Sequence, residues 1–203
     1  ALVDDFAQSM NGTYRDSSLH GIYEQKGNHE CSDMILTKGT YEYGWKQGVW
    51  KHYNCPSGKL EKIETYKDNK LDGNYKSYYD NGKVKTDKNF SAGINHGDYK
   101  NYRSDGKLKS TGSYKNGFKY GKCIKYLSTG KKKRETDYSG KPDKYGTSSQ
   151  IHGYDIKYSK TGVIYEKRYF EHGELKWTEK YDDEGKLVKR YSGGGGEKES
   201  KPP

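Results

Sequence analysis

Aromatic and β-branched residues come in short stretches along this chain, each closed by a glycine-bearing polar cluster. Asn74-Tyr75-Lys76-Ser77-Tyr78-Tyr79 is followed, after Asp80-Asn81-Gly82-Lys83, by a second such stretch from Val84 to Phe90. Stretches of that kind between turn residues predict β-strands, and Asn-Gly between two of them predicts a two-residue type I′ hairpin with positive φ at both central residues. The same slot carries Ser57-Gly58, Asp105-Gly106, Thr129-Gly130, Thr161-Gly162 and Glu184-Gly185. A second reversal is predicted after the aromatics Tyr66, Phe90, Tyr114 and Phe170, where Asn69, Gly93, Gly117 and Gly173 tolerate a left-handed backbone.

The pattern is periodic. Gly58, Gly82, Gly106 and Gly130 stand 24 residues apart, and Gly162 follows after 32. A second series, Gly48, Gly73, Gly97, Gly121 and Gly153, opens each unit. Self-similarity of this length predicts an array in which each unit packs on its neighbours. The expected fold is all-β: an elongated, twisted antiparallel β-meander of about six 24-residue β-hairpin repeats, each advancing about 10 Å. Residues 1–20 read as a lead-in or cap, 21–191 as the repeat domain with an insertion loop over 139–150, and 192–203 as a flexible tail. Aromatics two residues after the opening glycine (Trp50, Tyr75, Tyr99) and five after it (Tyr53, Tyr78, Tyr102, Tyr126, Tyr158) have opposite parity on an ideal strand. Either a bulge brings both to one face or the sheet carries rings on both.

Composition alone points toward disorder: Leu, Ile, Val and Phe total 26 of 203 residues, the net charge is +10, and mean hydropathy is −1.32. The 22 tyrosines reverse that reading, because each buries a ring while keeping its hydroxyl at water. No apolar run is long enough to span a bilayer as a helix.

The repeat resembles the MORN repeat (membrane occupation and recognition nexus) in its bacterial variant, G-x-Y-x-x-Y-x-x-x-G-x-L followed by Y-x-x-G-x-x-x-G. Gly73 to Val84 and Gly97 to Leu108 carry the motif best, and the resemblance extends over about residues 21–191. Cys123 and Asp155 depart from it, standing where Trp50, Tyr75 and Tyr99 stand in other units. The resemblance implies a non-catalytic binding or scaffold module, often an antitoxin or immunity-like protein, with envelope or membrane-surface association as the alternative.

Candidate chemistry adds a partner but no reaction. His20, His96 and His152 each precede an opening glycine, a slot that Gln47 and Asp72 share, and no histidine pair has ligand spacing. No cofactor, metal or catalytic residue is implied. Cys31 and Cys55 fall near the tips of adjacent units, both in lengthened stretches. A disulfide joins them if the tips lean together, since equivalent positions about 10 Å apart exceed the roughly 7 Å reach of a bridge. With Ala1 preceded by no signal peptide, this suggests a periplasmic or secreted mature protein, or equally a trimmed chain. Trp45, Trp50, Tyr53 and the basic run Lys131, Lys132, Lys133 and Arg134 are the expected partner-binding residues. They suit a protein partner such as a toxin or effector with an acidic face, or an anionic lipid or cell-wall surface; nucleic acid is set aside, because the rings have a packing explanation.

Overall fold

A computed structural model describes residues 10–146 and 148–193. The start of the lead-in and most of the expected tail, residues 194–203, lie outside the described residues. The fold is an antiparallel meander in which strand order is chain order, with fifteen strands among the described residues. It divides into two compact units, the first running to Ile94 and including Ser104–Gly106, the second comprising Asn95–Arg103 and the chain from Lys107.

The first unit holds β1 (Met10–Arg15), β2 (Ser18–Lys26), β3 (Ile35–Glu42), β4 (Trp45–Tyr53), β5 (Leu60–Lys67), β6 (Lys70–Tyr78) and β7 (Val84–Ser91). The second is built from β8 (Ile94–Tyr102), β9 (Leu108–Lys115), β10 (Phe118–Tyr126), β11 (Lys132–Pro142), β12 (Ser149–Tyr158), β13 (Ile164–Glu171), β14 (Glu174–Tyr181) and β15 (Leu187–Ser192). The lead-in from Met10 onward therefore forms β1 and the start of β2.

Both reversals fall where the sequence puts them, but the type I′ geometry expected at the first belongs to the second. At Asp80-Asn81-Gly82 the positive φ sits on Gly82 alone (78°), the Gly82 amide donates to the Tyr79 carbonyl at 2.8 Å, and the Tyr79 amide donates to the Lys83 carbonyl at 2.8 Å. That is a three-residue loop closed by a left-handed glycine, not a two-residue type I′ turn. The type I′ turns lie at the other reversal, where both central residues have positive φ: 50° and 87° at Ala92-Gly93, 51° and 63° at Asp68-Asn69. The expected loop over 139–150 is also smaller than predicted. β11 and β12 extend into it, Pro142 pairs with Ser149, and the Ser139 hydroxyl lies 3.2 Å from Gln150 Oε1, so only the turn after Asp143 remains.

The opening glycines stand inside strands, at bulges. Between the pairs Lys38/Lys51 and Thr40/Gln47, Gly39 alone faces Gly48, Val49 and Trp50; Thr65 likewise faces Asp72, Gly73 and Asn74, and Gly112 faces Gly121, Lys122 and Cys123. Gly48 has φ of 63°, a conformation that explains why glycine keeps the slot. The residue two places on becomes the core: Tyr23, Trp50, Tyr99, Cys123 and Asp155 are all buried. Trp50 fits because a Cβ at Gly39 would lie 2.2 Å from its ring, so only glycine leaves room. Around it pack Tyr41 and Tyr66, with centroids 5.0 and 6.3 Å away.

The parity question is answered on β11. Glu135 and Thr136 are neighbours and point to opposite faces. The Tyr158 hydroxyl donates to Glu135 at 3.0 Å, whereas the Thr136 hydroxyl donates to Asp155 at 2.7 Å. The two slots thus occupy opposite faces, and the sheet carries side chains of both series, one on each side.

Candidate interaction surfaces

In four units the slot before the bulge glycine has a local task. Its side chain accepts the first backbone N–H of the next type I′ turn: His20 Nδ1 from Tyr43 (3.4 Å), Gln47 Oε1 from Asp68 (3.2 Å), Asp72 from Ala92 (3.0 Å) and His152 Nδ1 from His172 (3.2 Å). The second turn residue donates to a strand carbonyl of the preceding hairpin, as Gly93 does to Leu71 at 2.7 Å. His, Gln and Asp share the slot because each offers an acceptor.

At the opposite tips a lysine plays the matching part. Lys59, Lys83 and Lys131 donate from Nζ to the carbonyls of Asp80, Asp105 and Thr161 at 2.7, 2.8 and 2.8 Å. Lys131, expected as a partner contact, is therefore one of a series of clips between successive hairpins. Its neighbours are engaged as well. Lys132 lies 2.5 Å from Glu135, and Arg134 Nε donates to Asp155 at 2.5 Å. Asp155 is fully buried and also accepts from Arg168 and Thr136. Burial alone would raise its carboxyl, but hydrogen bonds from Arg134, Arg168 and Thr136 hold it below the usual carboxylate value. Glu135 is likewise held low against its burial by Lys132 and Tyr158. Of the basic run only Lys133 is exposed without an ion pair or hydrogen bond among the described residues.

Two tryptophans expected together are separated by burial. Trp50 is 0% exposed and is a core ring seated over Gly39 and beside Tyr41, which removes it as a surface anchor. Trp45 is 51% exposed and Tyr43 57%. Trp45 pairs with Glu42 across β3 and β4, and with Tyr43, Gln47 and Asp68 these residues line a shallow depression. Ile22 and Val49, each just after a bulge glycine, are exposed nearby: Ile22 pairs with Thr40, and Thr40 with Gln47. Tyr53 is half-buried at the far end of β4.

Behind this surface lies a second buried carboxylate. Glu64 lies 2.9 Å from His52 Nε2 and 3.1 Å from Lys62 Nζ, and it accepts from the Tyr66 hydroxyl at 3.2 Å. Burial, then Glu64, pushes Tyr66 up to about 12, while burial and Lys62 lower His52. The expected disulfide is present: Cys31 and Cys55 are bridged with Cα atoms 6.0 Å apart. A short 3-10 turn, His29–Cys31, brings Cys31 inward, and the extra residue at Cys55-Pro56 lengthens the tip that meets it.

No helix among the described residues is long and apolar enough to cross a membrane. No curated protein matches the chain. The family model for the MORN repeat variant matches residues 71–92 and 95–116. Each match begins just after one type I′ turn and reaches the next, so the family's repeating unit is the hairpin observed here. Residues 71–92 and 95–116 are thus two MORN-type repeats, and hairpins with the same alternation of bulged strand, glycine-closed loop and type I′ turn continue on either side of them.

Proposed function

We propose that this chain is a non-catalytic protein-binding module whose contact face is the exposed side of β2 and β4 in the first unit. Repeats of this family generally work as protein- or membrane-binding modules. One observation carries the choice of a protein: Ile22 on β2, Tyr43 in the β3–β4 turn, and Trp45 and Val49 on β4 are exposed around one side of β3. Exposed aromatic and aliphatic residues grouped in this way mark interfaces, and Trp and Tyr dominate their energetics. In its specific form, the partner is a bacterial toxin or effector whose site this face occludes, as in an immunity or antitoxin-like protein. The Cys31–Cys55 bridge fits a periplasmic or secreted setting.

A second reading is an envelope or membrane-surface binder, favoured by the net charge of +10 and by Lys133 and Lys125, both exposed without an ion pair among the described residues. Affinity capture from source cells with wild type, Trp45→Ala and Lys133→Ala separates the two. The protein reading expects a stoichiometric effector, lost with Trp45→Ala, whose activity an equimolar amount of purified protein inhibits. Sedimentation with anionic vesicles that falls with salt and with Lys133→Ala, while Trp45→Ala changes nothing, overturns it in favour of the surface reading.

A further inference from the structure

Cations on aromatic faces are a habit of this chain. Lys46 Nζ lies 4.4 Å from the Trp50 centroid, Lys88 Nζ 4.5 Å from Phe90, and Arg190 Cζ 4.9 Å from Trp177. Trp45 breaks the habit. Its ring is half exposed, yet no cation among the described residues lies over it. Anionic groups, in contrast, stand beside it. Glu42 faces it as its register partner, with no ion pair among the described residues. Asp68 is fixed at the rim by the Gln47 side-chain amide, which donates to it at 2.6 Å while Gln47 Oε1 accepts the Asp68 backbone N–H at 3.2 Å. The wall of this depression already shows its preference: the Tyr43 ring takes the chain's own Arg15 guanidinium at 5.9 Å.

We propose that the Trp45 depression is a receptor for an arginine side chain presented by a protein partner. The planar guanidinium stacks on the exposed indole while its N–H groups donate to the carboxylates of Glu42 and Asp68. Arginine fits better than lysine because one flat group meets the ring and forks toward two acceptors, whereas an ammonium is a compact, strongly hydrated charge. Charge complementarity selects the occupant. On a protein of net charge +10 most surfaces repel a basic side chain, and this notch pairs two carboxylates with two rings. The expected acidic partner face, argued from Lys131 to Arg134, is thereby replaced by a basic anchor at the first unit.

The source of the arginine rests on the protein-binding reading; the chemistry of the notch is testable without a partner. Nα-acetyl-arginine amide is titrated into isotope-labelled full-length protein, following indole N–H resonances assigned with Trp45→Ala. The expected result is a saturable shift at the Trp45 indole and the Tyr43 amide, weakened by salt and roughly fivefold by Glu42→Gln. Nα-acetyl-lysine amide binds more weakly, and capped glutamine produces no saturable shift. Equal shifts with arginine and glutamine amides, no shift, or a response indifferent to Glu42→Gln overturns the receptor. Those failures leave intact the capture test with Trp45→Ala. Capture that survives Trp45→Ala, with the arginine shift present, sinks the contact face instead. Unchanged resonances away from β3 and β4 in each variant establish that it is folded.

Discussion

A residue's role here depends on which side of a bulge it falls. Trp50→Ala empties a buried ring site and is expected to cost about 3–5 kcal/mol. Trp45→Ala, five positions earlier on the same strand, is expected to stay within about 0.5 kcal/mol. Urea unfolding of the two variants checks the contrast, and similar losses would mean that Trp45 belongs to the core. Sequence inspection took both tryptophans as surface anchors because their ring type suits an interface; the opposed Gly39, which leaves room for the Trp50 ring alone, becomes visible only once the strands are paired. The same limit hid Asp155. Its acidity argues for exposure, and the arginines that permit burial stand 21 positions before it and 13 after it. Asp155 is held below its unfolded value, so its contribution is present above about pH 4 and is lost as pH falls through the folded value. Asp155→Asn, which leaves both guanidiniums without their anion, is expected to cost about 2–4 kcal/mol at pH 7. The loss should shrink at pH 3, and unfolding curves giving equal losses at both values would dismiss the linkage.

At the scale of the hairpin, glycine periodicity was legible because positive φ restricts the choice of residue, and it located the reversals of the regular units but not the glycine-free Asp16-Ser17 turn between β1 and β2. Which turn type sat where was not legible. Asn81-Gly82 satisfies the type I′ preference as a dipeptide, but the pairing of Tyr78 with Val84 leaves five residues between them, and that length selects the glycine-closed three-residue loop. Gly82→Ala forces a side chain into a left-handed conformation at φ of 78°, with nothing near its new Cβ, so backbone strain alone should cost about 1 kcal/mol. Ala92→Gly, at φ of 50° in a true type I′ turn, should be neutral or slightly stabilising by the same reasoning. Thermal unfolding of the pair distinguishes this from a packing effect. The clips between hairpins escaped the sequence altogether, because Lys83 and Lys131 reach backbone carbonyls, and a carbonyl has no residue identity. Lys131 to Arg134 accordingly read as a binding patch, when three of its four cations have internal partners.

For the molecule as a whole, each hairpin interacts with its sequence neighbours, so a local lesion should stay local. The Cys31–Cys55 bridge spans 24 residues of the first unit, and Cys31→Ser with Cys55→Ser is expected to cost about 2–4 kcal/mol. Hydrogen exchange should record the loss in β2 to β5 and leave β12 to β14 protected as before; uniform deprotection would mean a globally cooperative chain instead. The carbonyl and N–H clips have a further consequence. Because a hairpin greets its successor through a main-chain oxygen at one end and any acceptor side chain at the other, the junction is nearly blind to what the successor's faces carry. Faces are thus free to diversify while joints stay constant, so Trp50, Cys123 and Asp155 occupy one slot under entirely different chemistry. A chain assembled on such joints grows or shrinks by whole hairpins, and it acquires a new recognition surface by copying a unit and rewriting only its outward residues.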